Sequence, residues 1–181
     1  MPKNSLYYDT CIFLHGLNPQ DRSHRHCSRL LDLPSISWRL AICRELSAAE
    51  AAIGEYLDRF EISCISAGVA IEVVALSGAR VHARKYKGLK RELSRIGFGG
   101  NDWWHVMACA AIGIEALCSA DEDYFDPANK RNPKAKKKSS AVRDEIERTL
   151  RIDILRPEEA CGLYLDAKGP ATPIQVTQTS G

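Results

Sequence analysis

Four acids in this chain stand where carboxylates could act together. Asp9 closes the apolar run Leu6-Tyr7-Tyr8, and Glu50 follows Ser47 in the Ala-rich stretch SAAEAA. Asp102 opens NDWWHVMACAA, and Asp121 comes just after EALCS. Carboxylates within several ångströms of one another repel and raise each other's pKa. A hard divalent cation relieves that repulsion. Mg2+ and Mn2+ take oxygen ligands in octahedral geometry and keep several waters. One or two such ions can activate a water and shield phosphate oxygens during an in-line displacement.

For the acids to meet, the chain must bring four distant segments to one edge. Strand-like runs occur at Leu6–Asp9, Arg39–Cys43, Val69–Leu76, Glu115–Ser119 and Arg151–Leu155. Helix-period segments lie between them: Ser47–Phe60, Ala79–Ile96 and Asp102–Gly113. This alternation predicts an α/β fold with a parallel sheet of about five strands covered by helices on both faces. Right-handed crossovers constrain its topology. In such sheets the strand carboxyl ends and the helix starts share the edge where ligands bind. All four acids fall on that edge.

Each acid taken alone also has a purely structural reading. Ser47-x-x-Glu50 is a capping-box pattern, and Asp102 and Asp121 suit N-cap or first-turn positions. Asp9 differs, because a carboxylate in the middle of an apolar stretch is costly without a partner. Glu45, Glu122 and Asp123 compete for ligand roles; Glu45 would replace Glu50 if its helix started earlier. Asp123 reads more simply as part of a solvated acidic turn. The cluster of Cys11, His15, His24, His26 and Cys27 has zinc-type ligands, but His24-x-His26-Cys27 lacks the spacing of a zinc finger. A phosphatase of the haloacid-dehalogenase kind needs a DxD pair, and Cys11 stands where its second Asp belongs.

Composition sets the outer limits. The 181 residues, 45% hydrophobic and 27% charged, suit one globular domain rather than a disordered chain. Twenty-five Lys and Arg against 23 Asp and Glu leave a net charge of +2, so nucleic-acid binding must be argued from local charge. The 7 cysteines lack a CxxC pair and sit mostly in apolar surroundings, as buried reduced thiols do. The start MPKNSLYYDT has no apolar core of a signal peptide, and the apolar run 106–114 is far short of the ~20 residues of a membrane span. No membrane role and a cytoplasmic location are the expectations. The single domain is expected over residues 1–165, with 166–181 a flexible tail.

Two stretches interrupt the rhythm. Residues 17–37 form a polar, His/Arg-rich insertion around a short helix near Arg25–Leu33. Residues 126–140 read as a basic loop in which Lys130, Arg131, Lys134, Lys136, Lys137 and Lys138 concentrate positive charge. Such a loop would attract a phosphate backbone in a salt-dependent way; a solvated loop and a protein-binding arm stay open as alternatives. Trp103 and Trp104 follow Asp102. Core packing or a dimer contact is the simpler use of either, and base stacking the alternative. His105 reads as a satisfied helix histidine.

Three segments, in order, resemble the PIN-domain ribonucleases, among them the VapC-like toxin nucleases. YYDTCIFL resembles the family's strand followed by Asp-Thr. ICRELSAAEA resembles its second strand and Ser/Thr-x-x-Glu helix start. NDWWHVMACAAIGIEALCSADEDYF resembles its Asp-led helix and its strand ending in Ser/Thr-x-Asp-x-x-Phe. RIDILRPEEA resembles the closing strand. The resemblance implies a three-layer α/β/α fold and Mg2+- or Mn2+-dependent endoribonuclease activity. It implies Asp9, Glu50, Asp102 and Asp121 as metal ligands, and Thr10 and Ser119 as hydroxyls that orient the first acid, a phosphate or a water. RNA is the implied substrate. A small antitoxin protein is the implied partner if the chain is a toxin of a toxin–antitoxin pair; an RNA-processing role and a homodimer stay open. The alternative is a catalytically inactive PIN-like module that binds RNA or protein through the basic loop.

Overall fold

The computed structural model describes residues 4–51, 53–125 and 141–166, and only the backbone of residues 50 and 51. Five short strands form one parallel sheet: β1 (Ser5–Tyr8), β2 (Arg39–Ile42), β3 (Ile71–Val73), β4 (Ala116–Cys118) and β5 (Asp153–Leu155). Their order is β3-β2-β1-β4-β5. The register sets Leu6 beside Leu40, Tyr7 beside both Ala41 and Leu117, and Leu117 beside Ile154. All five expected strands are present. Four are shorter than the apolar runs that announced them, because residues such as Cys43, Val74 and Ser119 leave the strands to enter loops.

Strand periodicity divides the buried side chains between two faces. Tyr7, Ala41, Leu117 and Ile154 face one core, with Trp103, Val106 and Met107 of α7 (Asn101–Ala111) and Val142 and Ile146 of α9 (Ala141–Leu150). Leu6, Tyr8, Leu40, Ile42 and Cys118 face the other. There they meet Ile12 and Phe13 of α1 (Thr10–Leu17), Leu30 of α2 (His24–Leu30), Leu57 and Phe60 of α4 (Gly54–Ser66) and Ala160 of α10 (Pro157–Cys161). The result is a three-layer α/β/α fold.

The helical segments differ in detail from expectation. Ser47–Phe60 does not form one helix: α3 (Arg44–Ala51) and α4 are separate, and Gly54 opens α4 rather than lying inside a longer helix, where it would cost ~1 kcal/mol. The basic stretch after β3 divides into α5 (Leu76–Ala83), a 3-10 turn (Arg84–Tyr86) and α6 (Lys87–Arg95). Gly100 precedes α7 with φ 65°, a conformation that favours glycine, and turns the chain so that Asp102 enters the first helical turn. A short α8 (Glu122–Phe125) follows β4. In the 17–37 insertion α2 and a 3-10 turn (Leu33–Ser35) supply the expected short helix. All described cysteines are free, most of them buried. No described helix is long and apolar enough to cross a membrane.

Chain order reverses at the centre of the sheet. From β1 the chain passes to β2 and β3 on one side, then returns by α5–α7 to β4 on the other. The carboxyl ends of β1 and β4 therefore flank the crevice where open α/β sheets place ligands.

Candidate active site

Asp9 sits at that crevice. Its N–H extends the β1–β4 pairing by donating to the Cys118 carbonyl at 3.1 Å. Although Asp9 precedes α1, its side chain makes no capping bond there. The carboxylate is 4% exposed and therefore needs partners. It accepts a 2.7 Å hydrogen bond on Oδ2 from Ser119 Oγ, and His105 Nε2 lies 3.3 Å from Oδ1. Ser119 Oγ also accepts from the Asp121 N–H at 3.0 Å, so one hydroxyl joins the acids after β1 and β4.

Behind Asp9 lies a buried polar chain. Tyr7 OH meets His105 Nδ1 at 2.8 Å, Thr10 Oγ1 meets His105 Nε2 at 3.1 Å, and Thr10 Oγ1 donates to Ser47 Oγ at 3.0 Å. His105 thus links Tyr7 on one ring nitrogen to Thr10 and Asp9 on the other, and Thr10 donates onward to Ser47. Burial, with the Asp9 carboxylate adding to it, holds the Tyr7 phenol well above its ordinary range, so it stays protonated. The Thr10 hydroxyl thus meets His105, which in turn faces Asp9. His105 and Tyr7 escaped notice as site residues because, in sequence, each reads as an ordinary member of a buried element.

Asp102, in the first turn of α7, completes the acidic wall. Burial first, then the charges of Asp9, Asp121 and Asp123, raise its pKa to about 8, against a smaller lowering by His105. Three carboxylates therefore lie within electrostatic reach of a fourth. Tyr124 OH fixes the local backbone by donating to the Asp102 carbonyl at 3.1 Å. Asp121 also plays the structural part open to it: its Oδ1 accepts the Asp123 N–H at 2.8 Å at the start of α8. The solvated-turn reading of Asp123 is corrected, since its side chain is buried. Glu122 points elsewhere, toward Arg22 and Arg156; these hold its carboxyl below the usual range despite the opposing effect of burial.

The capping-box register at Ser47 is also corrected. Helix α3 begins at Arg44, so Ser47 is an interior, fully buried residue whose hydroxyl serves Thr10. The first-turn acid is Glu45, and its Oε2 accepts the Leu76 N–H at 2.8 Å at the start of α5. Glu50 lies one turn beyond Ser47 in α3, its side chain outside the described residues. Lys130, Arg131, Lys134, Lys136, Lys137 and Lys138 also lie outside them.

The His/Cys insertion does not gather as a zinc site. His15 pairs with Asp21 at 2.6 Å, His24 donates to the His15 carbonyl at 3.2 Å, and Cys11 Sγ accepts from the Ala120 N–H at 3.0 Å. Among the described residues, no three His, Cys, Asp or Glu side chains form a ready metal cage. The donors facing the crevice are carboxylate oxygens whose charges oppose one another, a set that fits a hard divalent cation by its chemistry. Asp9, Asp121 and Asp123 are the carboxylates whose charges act on Asp102 there.

No family model matches the chain, and neither does any curated protein. Among solved structures, the crystal structure of VapBC2 from Rickettsia felis bound to a DNA fragment from their promoter matches at 14% identity. The match covers 84% of this chain and 98% of that one, with a TM-score of 0.46.

Proposed function

We propose that the protein is a metal-dependent endoribonuclease, with Asp9, Asp102 and Asp121, joined by Glu50, as ligands for Mg2+ or Mn2+. The observation that carries this reading is the buried Asp9 carboxylate at the crevice, aimed by Ser119 and His105, with Asp102, Asp121 and Asp123 beside it. A fold has no structural need to set these charges together, and a cation repays the cost. When bound, the ion would supply charge neutralisation at phosphate and an acidified water.

The chain's own residues do the rest. Ser119 and His105 hold Asp9 in one orientation, which limits reorganisation when a ligand arrives. The Tyr7–His105–Thr10–Ser47 chain keeps that support from turning. Asp102 carries a proton in the cation-free protein near neutral pH, and cation binding must displace it.

Cleavage of RNA with Mg2+, Mn2+ or EDTA tests the proposal. Metal-stimulated cleavage supports it. RNA binding without metal-stimulated turnover would point instead to a non-catalytic RNA-binding protein. Within the nuclease reading, growth arrest on expression, relieved by a small co-expressed partner, would mark a toxin; an RNA-processing enzyme would cause none.

A further inference from the structure

Helices α5 and α6 carry a face of opposite charge to the acids. Between Arg80 and Arg95, on α5, the following turn and α6, there are seven exposed lysines and arginines, and Glu92 is the only acid. Among the described residues none of the seven forms an ion pair, whereas Arg22, Arg29, Arg39, Arg44, Arg143 and Arg156 each hold a carboxylate. Arg25 and Arg59 also stand without a carboxylate, but among the described residues this face sets seven such cations within one short stretch.

Two of these cations gather at one ring. Lys90 Nζ lies 5.0 Å and Arg80 Cζ 6.0 Å from the centroid of Trp104, which is half-buried on α7. The indole quadrupole holds like charges near one another that would otherwise spread apart. Trp104 stands two residues after Asp102 in α7, ~3 Å along the helix axis and ~200° around it, so the two side chains leave the helix start on opposite sides. Cations and acids thus flank the same helix start.

We propose that this face, with Arg80 and Lys90 gathered at Trp104, holds the phosphate backbone of single-stranded RNA whose scissile bond reaches the acidic crevice. The inference deepens the nuclease reading and rests on it for the position of the bond. A single strand is favoured because Asp9 is recessed, and a splayed backbone can enter a crevice that a duplex cannot.

Fluorescence anisotropy of a labelled single-stranded oligoribonucleotide in EDTA, across a salt series, tests the surface without any cleavage. Arg80→Ala with Lys90→Ala should weaken binding about tenfold. It should also flatten the salt dependence by about 1.4 in the slope of log K against log salt, ~0.7 for each phosphate contact. Arg25→Ala with Arg59→Ala removes the same charge from exposed positions on α2 and α4, and should change binding less than twofold. Equal losses from the two pairs, no loss from the first, or equal binding of the wild type to polyglutamate and to RNA would each overturn the proposal. With Mg2+ present, Arg80→Ala with Lys90→Ala should still cleave a dinucleotide too short to span both regions. Failure of the wild type to cleave anything would instead refute the nuclease reading, leaving the anisotropy to decide the surface by itself.

Discussion

Ser119 Oγ donates a 2.7 Å hydrogen bond to Asp9 Oδ2, joining the residue that follows β1 to the residue that follows β4. The same oxygen accepts the Asp121 N–H at 3.0 Å. One small hydroxyl thus sets the direction of the central carboxylate and the turn that carries the next acid. Ser119→Ala removes both contacts inside the fold and should lower stability by ~1–3 kcal/mol. It should reduce RNA turnover about 10- to 100-fold, the usual cost of losing a support behind a ligand. Chemical denaturation and cleavage rates measured on the same preparation check both; an unchanged unfolding midpoint would contradict the role given to the hydroxyl.

The pKa of Asp102 predicts how the cation-free protein responds to pH. Its folded value of about 8 lies above the ordinary 3.8, so between those values the folded state holds a proton that the unfolded state has released. Stability from this group is complete below pH 3.8 and is lost as pH rises toward 8, by at most ~1.4 kcal/mol per pH unit. In EDTA the wild type should therefore lose stability between pH 5 and pH 8 relative to Asp102→Asn, which has no such proton to lose. Urea unfolding of both proteins at the two pH values provides the comparison. Parallel losses would show that Asp102 is not the group responsible.

Tyr7 and His105 form the rear of the site, and their 2.8 Å contact is fully buried. Tyr7→Phe keeps the ring in the core and leaves His105 Nδ1 without that partner. It should cost ~1–3 kcal/mol and loosen the imidazole that faces Asp9. Thermal unfolding reads the first effect. A change in the histidine ring resonances by NMR reads the second. A variant with wild-type stability and unchanged resonances would remove this chain from the account.

The fold was legible because strand runs and helix-period segments alternate plainly, and the placement of acids after apolar runs identified the carboxyl edge. Asp9 stood out because an acid beside Tyr7 and Tyr8 has few structural excuses. The network behind it was not legible. Ser47 looked like a helix cap because its spacing to Glu50 fits one, yet α3 starts a turn earlier and buries it against Thr10. His105 and Asp123 gain their importance from segments distant in sequence, which local pattern does not report. The basic character of Arg80–Arg95 was visible as a charged helical stretch, but its relation to Trp104 exists only once α5 and α6 are placed against α7.

Asp9→Asn tests the central claim most directly, since it keeps the shape of the side chain and removes its charge. RNA cleavage by wild type and variant should be compared in Mg2+, Mn2+ and EDTA, with unfolding curves to establish that both are folded. The account predicts cleavage by the wild type only with a divalent cation. It predicts a loss of more than ~100-fold in the variant, beyond that expected from removing a supporting residue. Equal cleavage by the two folded proteins, or cleavage by the wild type undiminished in EDTA, would contradict it.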